Sequence, residues 1–172
     1  MEKILVIDDS EDILRTVETY LCENYIVLTA KYGEIGLDIY EKERPGVVIT
    51  DIRMPGMDGI DVLREVKAID KDTEVILITG NGDMKDVIKS LRLGASDFML
   101  KPTDVGLLEL IIEKGFDKRR SKQEIDILMD KFDSLVTGLI RDLNEGENVD
   151  FAMVKEEMEA IDLRYSRWKS SR

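Results

Sequence analysis

Histidine is absent from this chain of 172 residues, and cysteine occurs once, as Cys22. Without imidazoles or a second thiol there is no zinc-type ligand set, so any resident metal must be a hard cation held by oxygen, with magnesium (Mg2+) the natural candidate. A lone cysteine also rules out an intramolecular disulfide. Positive charge is scarce: 25 Lys and Arg against 37 Asp and Glu leave a formal charge of −12. That balance argues against a general affinity for nucleic-acid phosphates, which relies on clustered basic side chains to displace counterions. No apolar run approaches the roughly 20 residues needed to span a bilayer, and no signal-peptide pattern precedes the first apolar run. The expectation is a cytoplasmic protein whose membrane contact, if any, comes through a partner.

What is present is 43% hydrophobic residues, enough for a real core in one ordinary α/β domain plus a small extra element. From Met1 to about Arg120, short apolar runs alternate with segments of helical period, the pattern of βαβ units building a parallel sheet. The predicted strands are Lys3 to Ile7, Ile26 to Ala30, Val47 to Thr50, Glu74 to Thr79 and Asp97 to Leu100. Between them, four helices are expected to turn inward Ile13, Val17 and Leu21; Ile35, Leu37 and Ile39; Ile60, Leu63 and Val66; and Val87, Ile88 and Leu91. A fifth helix is expected to start at Thr103 or Asp104, after Pro102, and to bury Leu107, Leu108, Ile111 and Ile112. The fold class is therefore α/β, a five-stranded doubly wound parallel sheet with helices on both faces.

Beyond Arg120 no strand-like run occurs. Apolar residues from Ile125 to Leu143 recur at spacings of three and four, a loop around Gly146 follows, and Asp150 can cap a second stripe from Phe151 to Trp168. Residues 121–172 thus read as a helical hairpin. Two isolated helices leave a broad apolar face, which a second copy would cover in a four-helix bundle; packing against the first domain is the alternative. The segment carries eight basic and twelve acidic residues, unlike a DNA-reading module.

The chemistry gathers at strand ends, which converge on one rim of a parallel sheet. Asp8 and Asp9 end the first strand beside Glu11 and Asp12; such a group can hold magnesium, or be no more than an acidic helix start favoured by the dipole. The third strand runs into Asp51 and then Met54-Pro55-Gly56-Met57-Asp58-Gly59. One ionised carboxylate on that stiff base suits a nucleophile toward phosphorus, giving an acyl phosphate. Thr79 ends the fourth strand before Gly80-Asn81-Gly82, and its hydroxyl can donate to an anion. Phe98 lies on the last strand, and Lys101 follows Leu100 as a positioned charge.

This set, with Gly94-Ala95, Asp97-Phe98 and Lys101-Pro102, resembles the receiver domain of bacterial two-component response regulators over residues 1–120. The resemblance implies a flavodoxin-like receiver fold and a phosphoryl group accepted by Asp51 from a sensor histidine kinase or phosphotransfer protein. It implies magnesium held by Asp8, Asp9, Asp51 and the backbone carbonyl of Arg53, with Thr79 and Lys101 on the phosphoryl oxygens. Phe98 matches the aromatic that turns inward as Thr79 moves, although a plain core role is open to it. Arg53 and Asn81 match variable positions beside the path of the attacking water, and so are expected to set the lifetime of the phosphorylated form.

Output is then expected through protein contact made by the tail, with a homodimer through residues 121–172 and no direct nucleic-acid binding. No enzymatic turnover is expected beyond self-phosphorylation and autodephosphorylation. Two rival classes stand: a magnesium-dependent phosphohydrolase with an aspartyl intermediate, disfavoured by a nucleophile on the third strand and the lack of a cap domain, and a dimerisation module with an idle receiver. A fragment of a transcriptional regulator without its output domain is a further alternative.

Overall fold

The computed structural model describes residues 1–80, 84–101, 103–145 and 149–170. Asn81, Gly82, Pro102 and the turn at Gly146, all singled out above, lie outside the described residues. The chain divides into two compact units, Met1–Arg119 and Arg120–Arg172.

In the first unit, β1 (Lys3–Ile7), β2 (Ile26–Ala30), β3 (Val47–Asp51), β4 (Glu74–Thr79) and β5 (Asp97–Leu100) alternate with α1 (Glu11–Leu21), α2 (Gly33–Glu43), α3 (Gly59–Ile69) and α4 (Met84–Arg92), followed by α5 (Val105–Glu145). The strands form one sheet in the order β2-β1-β3-β4-β5, and every pair is parallel. Helices cover both faces, so the central strands are sealed on each side and read as nearly unbroken apolar runs. Every residue of β3 and β4 is buried.

Successive side chains point to opposite faces, which splits the core in two. Ile4, Val6, Val47, Ile49, Ile76 and Ile78 pack with Leu14, Val17 and Leu21 of α1 and with Leu108, Ile112 and Phe116 of α5. Leu5, Ile7, Val48, Val75 and Leu77 meet Tyr40 of α2 and Ile60, Leu63 and Val66 of α3.

Three helix faces differ from expectation; in α5 the difference is Leu107, which is exposed. In α2 the buried residues are Gly33, Gly36 and Tyr40, while Ile35 is exposed. A Cβ at Gly36 would run into the Ile7 side chain, so the smallest residue faces inward to let the helix settle on the sheet. In α4 only Ser90 is buried, its hydroxyl donating to the Val87 carbonyl at 2.8 Å, and Ile88 and Leu91 are exposed. A serine that satisfies itself on its own helix can turn inward at little cost, and the apolar row is left outside.

The fifth helix begins as expected, with the Asp104 carboxylate accepting from the Leu107 amide at 3.1 Å. It then runs without interruption to Glu145. No Gly or Pro interrupts Lys118–Lys122, and Lys and Arg are good helix formers, so the change of composition there produces no break. In the second unit α6 (Phe151–Ser170) follows, with Asp150 capping it through the amides of Ala152 and Met153 at 3.0 and 3.1 Å.

At the amino ends of the strands, Arg119 donates to Asp70 at 3.1 Å. Thr73 donates to the same carboxylate at 3.1 Å and meets the Tyr40 hydroxyl at 2.6 Å. Burial disfavours the Asp70 carboxylate, but the Asp72 amide and Arg119 outweigh it, and its pKa falls below the ordinary 3.8. A carboxyl depressed by folding contributes stability above its unfolded pKa and loses it as pH falls through the folded value. Asp70→Asn is therefore expected to cost on the order of 1 kcal/mol at neutral pH. Urea denaturation should show the gap from wild type closing as pH drops below 3.8.

Candidate functional site

Strand order reverses between β1 and β3: β1 is followed in sequence by β2 on one side and neighbours β3 on the other. In open parallel sheets the crevice for ligands opens at the carboxyl ends of the strands flanking such a reversal. Asp8 directly follows β1 and Asp51 ends β3, so both carboxylates are delivered to that point.

Their side chains are 3% and 7% exposed, and buried carboxylates that close need a counter-charge. Lys101, directly after β5, provides it, its Nζ lying 2.8 Å from Asp8 Oδ2 and 2.7 Å from Asp51 Oδ2. Burial works against the charged lysine, but the hydrogen bonds it donates to Asp51 and Asp8 prevail and its pKa is raised. The Lys101 amide in turn donates to the Thr79 carbonyl at 2.8 Å, tying the end of β5 to that of β4. The second oxygen of each acid is held by backbone: the Ser10 amide donates to Asp8 Oδ1 at 2.9 Å and the Arg53 amide to Asp51 Oδ1 at 3.3 Å.

Asp9 is exposed beside them, and Asp8, Asp9 and Asp51 each offer a carboxylate oxygen within 4.8 Å of the others. Among the described residues this is the one such acidic cluster. Its donors are all oxygen, which suits a hard divalent cation.

Thr79 is fully buried, one residue beyond the Asp51↔Ile78 register pair. Phe98 stands apart from the rim, in the second position of β5 opposite Leu77. It is half-buried against the core on the α2 and α3 side. Arg53 reaches out of the pocket, where its guanidinium pairs with Asp86 at the start of α4 at 2.6 Å.

The loop after Asp51 is braced from three directions. Gly56 adopts a left-handed φ of 79°, as its turn after Pro55 requires. Glu34 accepts from the Met57 amide at 3.0 Å. Asp58 caps α3 by accepting from the amides of Ile60 and Asp61 at 2.9 and 2.8 Å. Gly59 then presses on the strand end, where a Cβ would collide with the Asp51 carbonyl oxygen. Sequence reading missed Asp86 and Glu34, because an ion pair spanning 33 residues leaves no local pattern. Gly59 carried a weak signal as the glycine opening a helix.

A family model described as response regulator receiver domain matches residues 4–113. This chain belongs to the response regulator receiver family. The receiver domain is 38% identical over 114 residues to sporulation initiation phosphotransferase F of Bacillus subtilis, covering 66% of this chain and 92% of that protein. It is 33% identical over 126 residues to the regulatory protein AtoC of Escherichia coli, covering 73% of this chain but 27% of the relative. The chain thus spans about a quarter of AtoC. Among solved structures, a response regulator receiver domain protein from Clostridium thermocellum superposes with a TM-score of 0.67 at 36% identity, covering 70% of this chain and 98% of that one. The protein is accordingly a two-component response regulator receiver, with the five-stranded flavodoxin-like fold followed by long helices.

Because Gly59 admits no side chain against the Asp51 carbonyl, Gly59→Ala is expected to destabilise the receiver by about 1–3 kcal/mol. Chemical denaturation measures this; a loss below a few tenths of a kcal/mol would show the contact to be slack.

Proposed function

We propose that Asp51 is the phosphoacceptor of a signalling switch, and that Lys101 and Thr79 stabilise the phosphoryl group once it is there. The observation that carries this reading is the single ammonium shared by Asp8 and Asp51, a charge already placed where a phosphoryl oxygen would arrive. In the proposed step an Asp51 oxygen attacks the phosphorus of a phosphohistidine. The aspartyl O–P bond forms, the P–N bond breaks, and the donor imidazole leaves with the bonding pair. Lys101 can then pair with a phosphoryl oxygen, and the Thr79 hydroxyl can donate to another. Asp8, Asp9, Asp51 and the Arg53 carbonyl would hold magnesium, which when bound would supply positive charge that offsets the carboxylates and the incoming phosphoryl group. Phe98 is the proposed aromatic partner of Thr79 in switching, and Arg53 a determinant of the lifetime of the phosphorylated form.

The donor is a sensor histidine kinase or phosphotransfer protein, the chemistry is self-modification rather than turnover of a small substrate, and the setting is the cytoplasm. Among the described residues no helix is long and apolar enough to cross a membrane. Residues 1–120 are the receiver and 121–172 an extension that signals by protein contact and dimerises, without binding nucleic acid directly. A face for contact also exists on the receiver, where Ile88, Leu91, Leu100 and Leu107 are exposed.

Incubated with magnesium and acetyl phosphate, the full chain should gain one phosphoryl group by intact mass, and Asp51→Asn none. A well-folded wild type that stays unmodified, or an Asp51→Asn variant modified equally, would refute the assignment.

A further inference from the structure

The second unit has almost no core of its own. Between residues 120 and 170 only Leu128 among the described hydrophobic residues is buried, and α6 buries nothing. A unit this small cannot stand on so little burial.

Each helix of the hairpin carries a row of large exposed apolar residues on one side. The opposite side is a groove of about 650 Å³, to which α5 contributes Ser134, Gly138 and Arg141 and α6 contributes Glu157, Ala160 and Arg164. Leu135 and Leu139 of α5 and Val154 and Ile161 of α6 line its floor between the helices. At 100° per residue, the next positions around each helix away from the groove carry large exposed apolar residues. On α5 these are Met129, Phe132, Ile140 and Leu143, exposed by 38–60%. On α6 they are Phe151, Met158 and Tyr165, spaced by seven residues and exposed by 46–69%. In an antiparallel pair both rows fall on the same side, so together they make one largely apolar face, interrupted on α6 by Lys155 and Asp162.

We infer that this face is covered by the same face of a second copy, closing a four-helix bundle. The inference rests on the proposed role of the extension as a dimerising element and names the surface that does it. Area supports a second copy as occupant. Large apolar side chains bury roughly 150–250 Å² each, so seven that are about half exposed offer on the order of 600 Å² per chain, near the roughly 800 Å² per partner of stable complexes. Geometry supports it as well, since a two-helix face is self-complementary about a two-fold axis and pairs into the common four-helix arrangement.

The test is the mass of the full chain in solution by light scattering across micromolar concentrations. Wild type is expected at about twice the chain mass of 19.7 kDa. Phe132→Glu and Met158→Glu should each weaken the dimer about tenfold or more. Leu163→Glu replaces an equally exposed residue lying off the face and should leave the dimer within twofold. Retained helical circular dichroism certifies folding, and if one face variant unfolds the other decides. A monomeric wild type would overturn the inference together with dimerisation by the extension. A dimer that survives both face variants would overturn the face alone. No phosphodonor is present, so either failure leaves the Asp51 chemistry untouched.

Discussion

Two buried carboxylates at the reversal point of the sheet repel each other unless a positive charge joins them. Asp8 and Asp51 meet this constraint through one lysine, at 2.8 and 2.7 Å. Removing one partner of a buried charge cluster typically costs about 3–5 kcal/mol, because the remaining charges stay desolvated. The arrangement therefore ties together three strands that are not consecutive in sequence. Strand β1 must end just before Asp8, β3 at Asp51, and β5 must release the chain at Lys101. The bond from the Lys101 amide to the Thr79 carbonyl fixes the fourth strand to the same point. What looks like a binding site is also the place where the parallel register is locked.

The surroundings follow from that lock. Gly59 returns the loop after Asp51 so closely that no side chain fits, and Glu34 and Asp58 hold its amides. Arg53 links the loop to α4 through Asp86, so a change at the pocket has a physical connection to a helix whose apolar residues face solvent. At the other end of the sheet, Arg119, Asp70, Thr73 and Tyr40 form a second polar cluster that pins α5 to the start of β4. Between the two clusters the core is largely apolar, which concentrates polar chemistry at the two rims.

Much of this was legible in the sequence because a parallel sheet sealed on both faces writes its strands as apolar runs. Four of the five strands have the predicted bounds, and the third extends one residue further, to Asp51 itself. Asp8, Asp9, Asp51 and Lys101 could be brought together on paper because each directly follows or ends such a run. Helix faces were less legible. Periodicity pointed to Ile35 in α2 and to Ile88 and Leu91 in α4, whereas close approach to Ile7 turned Gly36 inward and a self-satisfied hydroxyl turned Ser90 inward. Phe98 was expected at the rim and lies inside the strand, against the core. Ion pairs such as Arg53–Asp86 and Arg119–Asp70 span 33 and 49 residues and have no local signature.

One ammonium bridges both acids and offsets part of their charge, and magnesium titration by calorimetry of wild type against Lys101→Met tests this directly. With the lysine gone, Asp8 and Asp51 lose their internal counter-ion and should hold the added divalent cation more tightly than wild type does. Equal or weaker binding by a folded Lys101→Met variant would contradict the account.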